Sequence, residues 1–101
     1  MRITITARHC EVPDHLRARV RELVSRLEKI APRLDAARVT FSEDHGEAEV
    51  ELQIRGARGQ AHVARGAGTD HRTALDRAVE RMRRQARRGP AKRRALQRQT
   101  R

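Results

Sequence analysis

Arg77, Arg81, Arg84 and Arg88 recur at i, i+4, i+7 and i+11, a spacing that sets four guanidinium groups in one row on a helix. Each guanidinium offers a planar fork of N–H donors that fits two phosphate oxygens, so such a row is matched to a nucleic-acid backbone. Arg83 and Arg87 flank it, and Lys92, Arg93 and Arg94 continue the charge beyond it. Ten of the 24 lysines and arginines lie after Glu80 with no acidic residue among them, while the first 80 residues hold the other 14 against all 13 carboxylates. A plainer reading is a solvated helix face whose cations complement the negative end of the helix dipole, which accounts for about two or three arginines. It does not account for ten, and a polyanionic partner that meets the chain through its C-terminal fifth is the stronger reading.

Other chemistries find less support. His9 and Cys10 are adjacent and point apart in any extended segment, while His15, His45, His62 and His71 fall in separate elements without metal-ligand spacing. His71 reads as a first-turn surface residue. No glycine-rich phosphate loop follows a strand and no nucleophile has a partnered base, so neither an enzyme nor a cofactor is expected. The single cysteine excludes an intrachain disulfide and suits a reducing, cytoplasmic setting. No apolar run nears the ~20 residues of a membrane span, and the tail lacks the bulky apolar groups of a membrane-surface helix. Phe41 is the only aromatic residue, which removes base stacking on a sheet face as a mode of recognition.

The elements that must carry the arginines follow from periodicity. Arg2 to Ala7 alternates Ile3 and Ile5 with Thr4 and Thr6, the period of a half-buried strand. Val12-Pro13-Asp14 opens a helix with an apolar stripe of Leu16, Val20, Leu23, Val24, Leu27, Ile30 and Ala31, ended by Pro32. Strands are predicted over Ala37 to Glu43 and Ala48 to Arg55, joined by a hairpin turn at Asp44-His45-Gly46. A second turn, Arg55 to Gly59, leads to a short strand near Gln60 to Arg65, whose phase is ambiguous because Ala61 and Val63 favour one face and Ala64 the other. Arg65 to Asp70 reads as a loop that delivers Asp70 as N-cap of the last helix. That helix buries Ala74, Leu75, Ala78, Val79, Met82 and Ala86 and stops at Gly89-Pro90.

The fold class is therefore α+β, one two-layer domain over residues 1–89 in the order β-α-β-β-β-α, with a four-stranded sheet and both helices on one face, similar to double-stranded-RNA-binding domains. Residues 90–101 read as a basic tail without order of its own. Glu47, Glu49, Glu51 and Gln53 share the outward face of their strand, so the open side of the sheet is expected to be acidic and to keep away from phosphate. On the first helix, Glu22 and Arg26 form an i, i+4 surface pair.

Particular stretches carry a resemblance. "ITITAR", "EVPDHLR" and "VSRLEKI" at the front and "DHRTALDRAVERMRRQ" at the back resemble the ribosome hibernation promoting factor family, which includes the ribosome-associated inhibitor or protein Y and the ribosomal subunit interface proteins. The most specific matches are Leu27-Glu28-Lys29, Asp70 with Ala74, Leu75 and Asp76, and the pair Arg84-Gln85. The resemblance implies a factor that binds the small ribosomal subunit in the channel for messenger and transfer RNA and silences translation of idle ribosomes in stress or stationary phase. It implies contacts to ribosomal RNA from Arg26, Lys29, Arg84 and Arg88 and from Lys92, Arg93 and Arg94. Pro13 stands where the family often caps the helix with Thr, and His71-Arg72 where Met-Tyr is usual. The chain resembles a short form, without the further domain through which long forms pair ribosomes. No membrane and no small-molecule substrate are implied.

Two alternatives stay open on the residues alone. One is a general binder of structured RNA, which would hold any duplex as well as a ribosome. The other is a regulator that docks on an acidic protein.

Overall fold

A computed structural model describes residues 1–31 and 33–88, with the Arg88 side chain left aside. Pro32, Gly89-Pro90 and the tail with Lys92, Arg93 and Arg94 lie outside the described residues. The order is β1 (Arg2–Arg8), α1 (Asp14–Ile30), β2 (Leu34–Asp44), β3 (Glu47–Gly56), β4 (Ala61–Gly68) and α2 (His71–Arg88). The four strands form one sheet in the order β1-β2-β3-β4. β1 pairs parallel to β2, which demands a crossover and makes α1 that crossover; the other two pairings are antiparallel.

The helices lie on the same face of the sheet and run in the same direction. α1 must descend from the end of β1 to the start of its parallel neighbour β2, and α2 descends alongside β4. Arg19 on α1 joins the two helices by donating from Nε and Nη2 to both oxygens of Asp76 on α2 at 3.2 to 3.3 Å.

Between the layers, Leu16, Val20, Leu23, Val24 and Leu27 of α1 meet Val39, Phe41, Val50, Leu52 and Ile54 of the sheet and Ala74, Leu75, Ala78, Val79 and Met82 of α2. Phe41 is fully buried at the centre. His71 turns inward from the first turn of α2: its ring meets Phe41 edge-on, with centroids 5.7 Å apart, and Nε2 lies 2.9 Å from the Ser42 carbonyl. The surface placement expected for His71 is thus corrected. With one aromatic ring in the core, a second flat ring edge-on to it fills space that a solvated histidine would leave open.

β4 is longer than the sequence suggests, and the segment Arg65 to Gly68, expected as loop, is strand. His62, Ala64, Gly66 and Gly68 face the helices, which settles the ambiguous phase and leaves Ala61, Val63, Arg65 and Ala67 on the open side. Glycine is required at position 66 because α2 lies against the backbone: a Cβ there would come 2.2 Å from the Ala74 carbonyl oxygen and 2.6 Å from the Ala78 nitrogen. The hairpin between β2 and β3 turns on His45 and Gly46, both at positive φ (52° and 78°), the conformation of a two-residue type I′ connection.

Asp70 caps α2 as expected, accepting from the Thr73 backbone N–H at 2.7 Å. The Thr73 backbone and hydroxyl bonds, with Arg72 and His71 nearby, hold its carboxyl below the ordinary value of 3.8. A depressed folded pKa means that this stabilisation is complete above 3.8 and disappears as pH falls through the folded value. Asp70→Ala is accordingly expected to lower the melting temperature at pH 7, with the deficit relative to the native chain shrinking as the pH is taken below 3.8. A deficit that stays constant across an acid titration followed by circular dichroism would contradict this origin.

Candidate nucleic-acid interface

The parallel helices decide where the charges meet. Arg19 and Asp76 are level, so Arg26 and Lys29, about two to three turns further down α1, lie level with Arg83, Arg84 and Arg87 on α2. These five cations gather at the lower end of the domain, where both helix C-termini present carbonyls and the dipoles favour positive charge. The upper end, at the β2–β3 hairpin, carries Glu43, Asp44, Glu47 and Glu49 instead. Charge is therefore polarised along the strand axis, a feature no linear pattern displays.

Within the group, Arg26 donates from Nη2 to Glu22 at 3.0 Å, the expected surface pair. Glu80 lies 3.9 Å from Arg83 and 4.0 Å from Arg84, separations at which exposed pairs contribute little and exchange readily for another anion. Lys29 and Arg87 are exposed. Arg88 is the last residue of α2.

Arg77 and Arg81 have a different employment from the one their spacing suggests. β4 is an edge strand, and its odd-numbered residues turn their backbone groups away from β3. Arg77 Nη1 donates to the Ala67 carbonyl at 2.7 Å, Arg81 Nη1 to Arg65 at 2.9 Å, and Gln85 Nε2 to Val63 at 2.8 Å. Three side chains one turn apart on α2 thus cap three carbonyls two residues apart on the edge. The helical rise over four residues, about 6 Å, nearly equals the strand rise over two, so the ladder stays in step. The row of four arginines is consequently divided: Arg77 and Arg81 hold the edge, and Arg84, exposed and only loosely paired with Glu80, can exchange that contact for a partner's phosphate.

The sequence reading missed Arg19 and Gln85 as positioning residues. Arg19 pairs with a carboxylate 57 residues away, and Gln85 with a carbonyl 22 residues away, so neither leaves a local signal. Among the described residues no group of three or more His, Cys, Asp or Glu side chains gathers as a metal site, and no helix is long and apolar enough to cross a membrane.

A two-layer α+β domain with a crossover helix, a second helix along the edge strand and one strongly basic end is the class of protein defined by these features. The chain belongs to the family described as sigma 54 modulation protein / S30EA ribosomal protein, whose model matches residues 3–94. Members are ribosome-associated factors. The N-terminal domain of protein Y from Thermus thermophilus is similar in structure, with a TM-score of 0.78 and 27% identity over 89% of this chain and 100% of that one. A ribosomal subunit interface protein from Coxiella burnetii shares the fold, with a TM-score of 0.69 and 19% identity over 85% of this chain and 93% of that one. No curated protein matches the sequence.

Proposed function

We propose that this protein binds small-subunit ribosomal RNA in the channel for messenger and transfer RNA, and silences translation by occupying it. It acts in the cytoplasm and preserves idle ribosomes in stress or stationary phase. The observation that carries this reading is the convergence of Arg26, Lys29, Arg83, Arg84 and Arg87 at one end of two parallel helices. Arg88, Lys92, Arg93 and Arg94 add further contacts to the RNA, and Arg77 and Arg81 contribute through the donors left after edge capping. Membership of a ribosome-associated family supports the choice of partner. Occupancy needs no chemistry: guanidinium and ammonium groups displace condensed counterions from phosphates, and the bulk of the domain excludes other ligands.

The test is sedimentation of the protein with vacant small subunits in the presence of increasing transfer RNA. Displacement by transfer RNA is expected. With about five phosphates neutralised, affinity is expected to fall by roughly two to three orders of magnitude between about 50 and 200 mM salt. Equal affinity for an arbitrary RNA duplex would favour the general structured-RNA binder, and retention on ribosomes after nuclease treatment would favour an acidic protein as the docking partner.

A further inference from the structure

The open side of the sheet is not uniformly acidic. Its upper part carries Glu47, Glu49 and Glu51, the last donated to by Arg65 Nε at 2.9 Å, with Arg8 beside them. Its lower part carries Arg2, Arg38 and Arg55. The expectation of an acidic open face therefore holds for the upper part and not for the lower, because β1 and β2 turn Arg2 and Arg38 outward and β3 itself ends on an outward Arg55.

From these three arginines we infer a phosphate-binding site on the open face of the sheet, distinct from the helical surface. In the register, Arg2 faces Ala36 across the β1–β2 pairing and Arg55 faces Ala36 across the β2–β3 pairing. Arg38 stands two residues along from Ala36 on the same side of β2. Three guanidinium groups thus rise around one alanine, with Cα positions on neighbouring strands about 4.8 Å apart and positions two apart along a strand about 6.6 Å apart. Side chains of that length converge readily over such a triangle. Ala36 and Ala61 make a low floor, and Thr4 and Gln53 supply neutral donors at its side.

The hollow so formed is a shallow groove of about 380 Å³, and no carboxylate lines it. None of the three arginines has an ion pair or side-chain hydrogen bond among the described residues, in contrast to Arg19, Arg26, Arg65, Arg77 and Arg81. Three uncompensated cations held together on rigid strands repel one another, and an anion relieves that repulsion. Their planar forks select phosphate oxygens over a spherical halide. With no aromatic residue on this face, the ligand is held by its phosphate and not by its base. Val63, 46% exposed at the β4 end, adds one apolar contact. The groove opens at the same lower end as the helical cluster, so the basic end of the domain has a phosphate-gripping surface on both layers.

The phosphate comes either from a nucleic-acid strand or from a free phosphate ester, and two titrations of the full chain distinguish them. Backbone amide NMR shifts are followed as sodium pyrophosphate, or separately a ten-nucleotide single-stranded RNA, is added. Pyrophosphate is expected to move the amides of Arg2, Ala36, Arg38, Gln53 and Arg55 saturably. RNA moving the same set assigns the site to strand backbone; pyrophosphate alone moving it assigns the site to free phosphate esters. Arg38→Ala with Arg55→Ala is expected to weaken the effect at this set at least about ten-fold, the lower range for a lost charge-assisted bond. The shifts that RNA induces at Arg83, Arg84 and Arg87 are expected to stay as in the native chain. No saturable movement of the sheet set with either probe, or the same response in the double variant as in the native chain, overturns the site. Either result leaves the ribosome test of the helical surface untouched.

Discussion

Alanine at Arg83, Arg84 and Arg87 together is expected to weaken binding to small ribosomal subunits by about three orders of magnitude while hardly changing the unfolding midpoint. Each lost charge-assisted contact to phosphate costs about 1.5 kcal/mol at the lower end of the usual range, and three combine to that factor. Stability is spared because, among the described residues, Arg83 and Arg84 pair only with Glu80, at 3.9 and 4.0 Å, and Arg87 is exposed. The informative control is Arg77→Ala with Arg81→Ala. Those guanidinium groups bond the Ala67 and Arg65 carbonyls, so the double variant is expected to lose about 1–2 kcal/mol in urea unfolding, to aggregate sooner on heating through its uncovered edge, and to bind more strongly than the triple variant. Sedimentation with subunits alongside denaturation curves separates the two. If the Arg77/Arg81 variant lost binding completely and the triple variant kept it, the division of the arginine row would be wrong.

The second large effect is expected at Gly66. A methyl group there would sit 2.2 Å from the Ala74 oxygen and 2.6 Å from the Ala78 nitrogen, both backbone atoms that cannot swing aside. Gly66→Ala must therefore lift α2 from β4, at a cost of about 3 kcal/mol, the upper range for an overpacked core. The displacement would also draw Arg77, Arg81 and Gln85 off the edge carbonyls, since all three bonds depend on the same close approach. Urea unfolding measures the loss. By contrast Gly46→Ala, at an open turn position with φ of 78°, meets no atom within 4 Å and costs only backbone strain. A Gly66→Ala protein as stable as the native chain would mean that helix and strand are not in contact as described.

Both effects rest on relations that the chain's linear order hides to different degrees. The stripe Leu16, Val20, Leu23, Val24 and Leu27, and its counterpart Ala74 to Met82, are readable because a helix has a fixed period and one buried side. Asp70 is readable as a cap because a carboxylate before a helix meets orphan N–H groups within a few residues. The second half of β4 is hidden in the sequence because Gly66 and Gly68 imitate a loop. Glycine marks either a flexible turn or a backbone approached closely by another element, and only the position of α2 distinguishes these. His71 was misplaced for a related reason: a polar side chain in a first turn is ordinarily solvated, and its contact with Phe41 and Ser42 crosses from helix to sheet.

The charges divide in the same manner. By itself the sequence determined that the chain is basic toward its end, that α2 has a polar side rich in arginine, and that no aromatic platform exists for bases, since these depend on composition and helical period alone. The tertiary structure decided which arginines are at liberty. It committed Arg77 and Arg81 to the β4 edge because helical and strand rises coincide there. It set Arg26 and Lys29 level with Arg83 and Arg87 because the parallel β1–β2 pair sends α1 down while the antiparallel β2–β3–β4 run sends α2 down alongside β4. It also gathered Arg2, Arg38 and Arg55 from three strands around Ala36, which depends on strand register, a long-range property that residues so far apart in the chain cannot declare beforehand.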